Sequence, residues 1–280
     1  MGYKRVIGLD IGTEYLKAVE LEKGEEGLRI VKSESLKLPL NVEEERIADE
    51  LKLLWMRGNF SRREVVTNLQ LPDVMVKKVI TERDLSPERI EWEIKNYLPF
   101  DSSSIVIDTY ITKPSIPPNY QEMVLVATPK DRVEKRVKLL RQAGLSPSSI
   151  IPSSIALSNL LEFTYPELRE AIIIHIGFRS VLFIAYEDKR PVLVHLLSLG
   201  LKDITSEVQD TLKVDSRRLS SEIEDSYSFL PEFPKKAKVF LSGGGALIPD
   251  IVKDTEILSF KNLSPLYNVA LGLGIGALYA

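Results

Sequence analysis

Apolar residues recur along this chain in two rhythms, runs of strand length and stripes of helical spacing, and the first run is the most regular. From Val6 to Leu21 the sequence reads as two apolar strands joined by a tight turn at Gly12-Thr13-Glu14, with Asp10 and Lys17 flanking it on the two strands. Ile172-Ile173-Ile174-His175-Ile176-Gly177-Phe178-Arg179-Ser180-Val181-Leu182-Phe183-Ile184 repeats the plan: apolar strand, polar residue, one residue, glycine, short turn, apolar strand. Val239-Phe240-Leu241-Ser242 then runs as a strand into Gly243-Gly244-Gly245.

Between these segments the pattern predicts a strand over Leu28 to Leu38 and a helix over Glu43 to Trp55, with Ile47, Leu51, Leu54 and Trp55 on one face. Strands follow at Val65 to Leu71 and Val74 to Ile80, split by Pro72-Asp73. Ser86 and Pro87 open a helix that presents Ile90, Ile94 and Tyr97 and stops at Pro99. A strand at Ile105 to Ile111 precedes a proline-rich exposed loop, residues 114–118. The strand Met123 to Ala127 leads to a helix capped by Thr128, begun by Pro129 and ended by Gly144. Further on, Ile204, Val208 and Leu212 predict a helix from Lys202 to Leu212, and Leu219, Ile223 and Tyr227 a second one. Pro231-Glu232-Phe233-Pro234 breaks the chain, and Leu266 to Ala280 reads as a buried helix whose Gly272, Gly274 and Gly276 allow close packing. Strands mixed with helices throughout give an α/β architecture.

Composition narrows the chemistry. A chain of 280 residues with 44% hydrophobic and 28% charged residues is that of an ordinary globular protein of one large domain or two smaller ones. Net charge is −3, so no basic field draws nucleic acid or an acidic membrane surface. The absence of cysteine excludes disulfides, thiol catalysis and thiolate metal sites, and two histidines are too few for a histidine-rich zinc site. The chain enters a strand within a few residues of Met1, the expectation for a protein without a signal peptide. The C-terminal apolar run would span about 22 Å as a helix, short of the roughly 30 Å hydrocarbon core, so no membrane span of its own is expected. Together these predict a cytosolic protein.

The turn chemistry points to an anion. A turn holding an acid, a glycine and a hydroxyl can aim several backbone N–H groups at one phosphate. Gly12 permits close approach where a Cβ would interfere. Asp10 is placed to hold a magnesium ion through water, Thr13 supplies the hydroxyl, and Lys17 can reach back as a point charge. The plain alternative is an Asx-stabilised hairpin with an exposed lysine.

On the first hairpin, on Tyr97-Leu98-Pro99-Phe100, on Val124-Leu125-Val126-Ala127-Thr128-Pro129-Lys130, on Ala143-Gly144-Leu145-Ser146-Pro147, on Leu241-Ser242-Gly243-Gly244-Gly245-Ala246-Leu247-Ile248-Pro249 and on Val269-Ala270-Leu271-Gly272-Leu273, the chain resembles the type IV pilus assembly protein PilM family over nearly its whole length. That family is part of the actin-like ATPase superfamily, and the cytoplasmic part of the type II secretion protein GspL is a near relative. The resemblance implies an actin-like (ribonuclease H-like) two-lobed fold. The first lobe would span 1–170 with an inserted 1C-type subdomain at about 74–122, and the helix Ser153 to Phe163 would link the lobes. The second lobe would span 171–280, its outer 2B-type part reduced to two short helices within about 202–234. It also implies a nucleotide cleft, ATP with Mg²⁺ held by Asp10, Gly12, Thr13 and Lys17 from one side, Gly177 from the other, and Gly243, Gly244 and Gly245 against the adenosine. The implied partner is the cytoplasmic tail of an inner-membrane PilN-like protein, with Tyr97, Leu98, Pro99 and Phe100 as its anchor. Such a protein is cytoplasmic and peripheral at the inner membrane through its partners.

Two departures bear on activity. Where actin-like ATPases begin the second phosphate hairpin with an aspartate, this chain has His175, and a neutral imidazole does not replace a carboxylate in a magnesium shell. Phe178 and Arg179 also stand where the family carries small residues. The expectation is an adaptor with weak or absent ATP hydrolysis. The alternatives are an active ATPase or sugar-kinase-type enzyme of the superfamily, or a GspL-like secretion component.

Overall fold

The structure, a computed structural model, describes residues 4–39, 42–83, 86, 89, 104–116, 119–203, 205–208, 211–214, 216–229 and 237–279. The first sheet is built from β1 (Lys4–Ile11), β2 (Tyr15–Gly24), β3 (Gly27–Lys37), β4 (Glu64–Leu69) and β8 (Ser146–Pro152), in the order β3-β2-β1-β4-β8. The second is built around β9 (Glu170–Ile176), β10 (Val181–Glu187), β11 (Arg190–Leu197), β14 (Lys238–Ser242) and β15 (Glu256–Ile257), in the order β15-β14-β9-β10-β11. The two share one topology. In each, a central strand makes an antiparallel hairpin on one side, extended by a third antiparallel strand, and pairs with two successive parallel strands on the other.

Strands buried on both faces carry near-continuous apolar runs, and β1 and β9 do so. On the outer face of the first sheet, Ile7, Leu9 and Ile11 pack under α1 (Glu44–Gly58) and α2 (Lys130–Gln142). On the outer face of the second, Ile172, Ile174 and Ile176 pack under Leu219 and Ile223 of α4 (Ser216–Phe229). The inner faces meet through one shared core, in which Val19 and Leu21 of one sheet and Ile173 and Ile184 of the other close on α3 (Ser153–Thr164) and α5 (Asn268–Tyr279). Each of these helices leaves its own sheet and reaches the other. Helix α5 follows β15 but lies on β1, β2 and β4, while α3 follows β8 but also touches β10 and β11. The lobes are therefore laced together, and both hairpin turns end up facing one cleft.

Strands β5 (Met75–Glu82), β6 (Ile105–Ile116) and β7 (Tyr120–Pro129) form a meander in the order β5-β7-β6. It extends the second sheet, not the first, through the pair Leu193 and Lys77 of β11 and β5. Among the described residues, strand β6 is the outermost strand of that sheet, with Val106, Tyr110 and Ile111 exposed.

Several local expectations change. The segment expected as a helix over 202–212 is a short 3-10 turn, Leu201–Asp203, followed by the hairpin β12 (Thr205–Val208) and β13 (Thr211–Val214). Thr205, Val208, Thr211 and Val214 are β-branched and favour extended backbone over a helical χ1. The proline-rich segment continues β6 to Ile116, with register irregularities between Ile111 and Lys113 and between Lys113 and Ile116. Pro114 falls in the second of these irregularities, with no ladder partner in β7, a position that needs no N–H. Thr128 does not cap α2; its hydroxyl donates to the Asp73 carbonyl at 2.7 Å, and Pro129 takes the N-cap position. The helix expected after Ser86, and with it Tyr97, Leu98, Pro99 and Phe100, falls outside the described residues apart from Ser86 and Arg89.

Candidate functional site

Asp10 and His175 occupy equivalent places, each two residues before the glycine of its hairpin, at the end of the central strand of its sheet. The turns close in the same way: Gly12 N–H donates to the Tyr15 carbonyl at 3.1 Å and Gly177 N–H to the Ser180 carbonyl at 2.9 Å. Between them lies a cavity of about 340 Å³, toward the small end of ligand pockets. Its lining brings together Asp10, Gly12, Thr13, Lys17, His175, Gly177, Phe178 and Arg179 with Gly243 and Gly244. A larger hollow of about 770 Å³ is lined within residues 237–257 alone. It gathers residues of one lobe and neither hairpin, so the smaller cavity is the better candidate.

The first hairpin carries a buried ion pair. Lys17 Nζ lies 2.5 Å from Asp10 Oδ2, and Asn68 Nδ2 donates to Asp10 Oδ1 at 2.8 Å. Asp10 is 1% exposed and Lys17 8%, so both charges depend on these contacts to offset the cost of leaving water. Asn68, from β4, spans the site: its Oδ1 accepts from Ile11 N–H at 3.0 Å, and its Nδ2 also reaches Ser153 Oγ at 3.0 Å. Gln70 Nε2 donates to the Ile11 carbonyl at 3.2 Å. A Cβ on Gly12 would stand 2.8 Å from both the Tyr15 carbonyl oxygen and Lys17 Nζ, so the turn, with Lys17 across it, leaves room only for glycine. Glu14, the other acid of the lining, pairs with Lys37 at 3.4 Å.

The second hairpin offers the cavity no carboxylate: its polar residue is His175, and the charge on its turn is Arg179. His175 Nδ1 lies 3.0 Å from Ser242 Oγ, and Asn268 Nδ2 donates to the same Oγ at 3.1 Å and to the Leu258 carbonyl at 2.7 Å. Burial pushes the imidazole down to about 4, the nearby Asp10 pulling it up and Lys17 pushing it further down. His175 is therefore neutral at physiological pH. The turn is strapped from behind, since Leu201 N–H donates to the Gly177 carbonyl at 3.1 Å and Lys202 N–H to the Phe178 carbonyl at 2.8 Å.

Gly243 needs its glycine for conformation: its φ is +83°, and its N–H donates to the Pro265 carbonyl at 3.1 Å. Gly245 stands apart from the other candidates. It is buried against Ile176, where a Cβ would meet Ile176 Cγ2 at 2.1 Å, and it does not line the cavity. Sequence reasoning missed Asn68, Ser153, Ser242 and Asn268 as the polar residues that orient the charged and titratable ones. The available signal was a polar residue closing an apolar run, as in Val65-Val66-Thr67-Asn68 and Val239-Phe240-Leu241-Ser242. Among the described residues no group of three or more histidine, cysteine or acidic side chains is placed to hold a metal ion. Nor is any helix there long and apolar enough to cross a membrane.

A family model described as type IV pilus assembly protein PilM matches residues 8–232. No curated protein matches the chain in sequence. Among solved structures, a PilM-PilN type IV pilus biogenesis complex superimposes with a TM-score of 0.82 at 22% identity, covering 98% of this chain and 99% of that one. The ethanolamine utilization protein EutJ from Carboxydothermus hydrogenoformans gives 0.56 at 12% identity, over 98% of this chain and 90% of that one. The cytoplasmic domain of EpsL, an inner membrane component of the type II secretion system of Vibrio cholerae, gives 0.53 at 11% identity, over 99% and 96%. These likenesses establish the fold, that of the actin-like ATPases, into which the twin sheets and shared cleft fit.

Proposed function

The chain belongs to the type IV pilus assembly protein PilM family, and we propose that it acts there as an adaptor whose cleft binds a nucleotide without turning it over appreciably. The observation that carries the second half is the distribution of charge across the cleft. Both acids of the lining, Asp10 and Glu14, come from the first hairpin, and the second offers His175 in the equivalent place. Phosphoryl transfer needs positioned metal and a positioned attacking water, for which paired carboxylates serve and a neutral imidazole does not. Lys17 and the glycines of the two hairpins retain what binding requires, a cation and close backbone approach.

The partner reading rests on the family and on β6. A PilN-like inner-membrane protein with a short cytoplasmic tail is the partner implied, and it would hold this chain at the cytoplasmic face of the membrane. An extended tail can add to an edge strand through backbone hydrogen bonds while alternate side chains find apolar contacts. Among the described residues strand β6 is such an edge, with exposed Val106, Tyr110 and Ile111. Tyr97-Leu98-Pro99-Phe100, which ends four residues before this strand in sequence, is the further anchor we assign to the tail. Phosphate release measured with Mg²⁺ and ATP tests the first half of the proposal. No turnover above a Lys17→Ala control is expected, and turnover abolished by Asp10→Ala would mean an enzyme instead.

A further inference from the structure

The hydrogen-bond chain behind His175 favours the tautomer with its proton on Nε2, which leaves the Ser242 hydroxyl hydrogen with an acceptor. Asn268 Nδ2 donates to the Leu258 carbonyl at 2.7 Å, a group that can only accept, so the amide is oriented with its nitrogen toward Ser242. The same nitrogen gives its second hydrogen to Ser242 Oγ at 3.1 Å, while Asn268 Oδ1 is buried with no partner among the described residues. The Ser242 hydroxyl has one hydrogen left to give, and its other contact is His175 Nδ1 at 3.0 Å. With Nδ1 accepting, the neutral ring keeps its proton on Nε2. The second hairpin thus brings a hydrogen-bond donor to the cavity wall.

Opposite it, the acids are already taken. Asp10 has Lys17 on one oxygen and Asn68 on the other, and Glu14 has Lys37. Magnesium demands near-octahedral oxygen ligands and keeps several waters. To bind through Asp10 it would have to compete with a buried lysine at 2.5 Å, with no second carboxylate across the cleft. The donor set does not fit that ion.

We infer that the cleft takes the phosphates of its nucleotide free of any divalent metal ion, with Arg179 and the Asp10-paired Lys17 as the cations of the lining and His175 Nε2–H as the donor that replaces the metal side of the site. The inference rests on the nucleotide-binding reading above. It assigns His175 a role in ligand binding, beyond the loss of an aspartate.

Calorimetric titration of the full chain with ATP, once in EDTA and once in saturating Mg²⁺, tests it. Affinity in EDTA equal to or above that in Mg²⁺ supports the inference, because uncomplexed ATP presents more charge to Arg179 and Lys17. A loss of about tenfold or more in EDTA overturns it while leaving nucleotide binding intact. Absence of binding in both conditions overturns the nucleotide-binding reading and this inference with it. Two variants examine the donor itself in EDTA. His175→Leu removes the N–H and is expected to weaken ATP by about tenfold, the worth of one hydrogen bond to a charged group. His175→Gln, which keeps an N–H, is expected to stay within about threefold of wild type by the same measure. Equal affinity in His175→Leu and wild type would remove His175 from the site.

Discussion

Replacing His175 by asparagine should flatten the acid side of the stability profile. In the folded chain burial holds the imidazole down at about 4, against an ordinary value of 6.5. Above 6.5 the ring is neutral in both folded and unfolded chains and contributes nothing to the pH dependence. Between 6.5 and about 4 the unfolded chain binds a proton that the folded chain refuses, so wild-type stability falls as pH falls. Below about 4 both states are protonated at this position and the loss stops growing. The gap of some two and a half pK units corresponds to at most about 3 kcal/mol, at 1.36 kcal/mol per unit. Asparagine does not titrate and retains an amide that can face Ser242. Urea unfolding of both proteins across this range gives the wild-type minus variant difference, which isolates His175 from the carboxylates that titrate in the same window. That difference should move against wild type by up to about 3 kcal/mol from neutral to acid pH. Parallel curves would show that the folded chain does not hold the imidazole neutral below its ordinary value.

Other consequences follow from individual contacts. Lys17→Met leaves the buried Asp10 carboxylate with Asn68 alone and should cost about 3–5 kcal/mol, most of it recovered when Asp10→Asn is added; simple additivity in the double-mutant cycle would contradict the ion pair. Gly272→Ala would place a Cβ 1.8 Å from the Ala156 carbonyl oxygen, where α5 crosses α3. Forcing the helices apart should cost on the order of 1–3 kcal/mol, read as a lowered Tm, and an unchanged Tm would mean that the crossing is looser than described.

What the sequence disclosed and what it withheld divide along physical lines. The twin hairpins were legible because each is a local object: an apolar strand, a polar residue, a glycine and a return strand are contiguous in both Val6 to Leu21 and Ile172 to Ile184. The cleft between them followed from the resemblance to PilM, because no spacing rule joins residues so far apart. Asn68, Ser242 and Asn268 were invisible as site residues, since an uncharged polar side chain at a strand end has many bland uses and acquires this one only through tertiary contact. The hairpin β12–β13 was misread because Ile204, Val208 and Leu212 fall at helical spacing, while the β-branched residues among them prefer extended backbone. The lacing of α3 and α5 across the lobes depends on glycines whose value lies in what approaches them, as Ala156 approaches Gly272.

The adaptor reading is tested most directly by titrating the labelled cytoplasmic tail of a PilN-like membrane protein from the same organism into this chain and following fluorescence anisotropy. Saturable binding is expected. It should weaken by about tenfold or more in Val106→Asp, which places a charge on the edge strand β6, and by the equivalent of about 1–3 kcal/mol in Phe100→Ala. His175→Asn should leave it unchanged. A tail that fails to bind the wild-type chain, or that binds Val106→Asp and Phe100→Ala as tightly as wild type, would contradict the account.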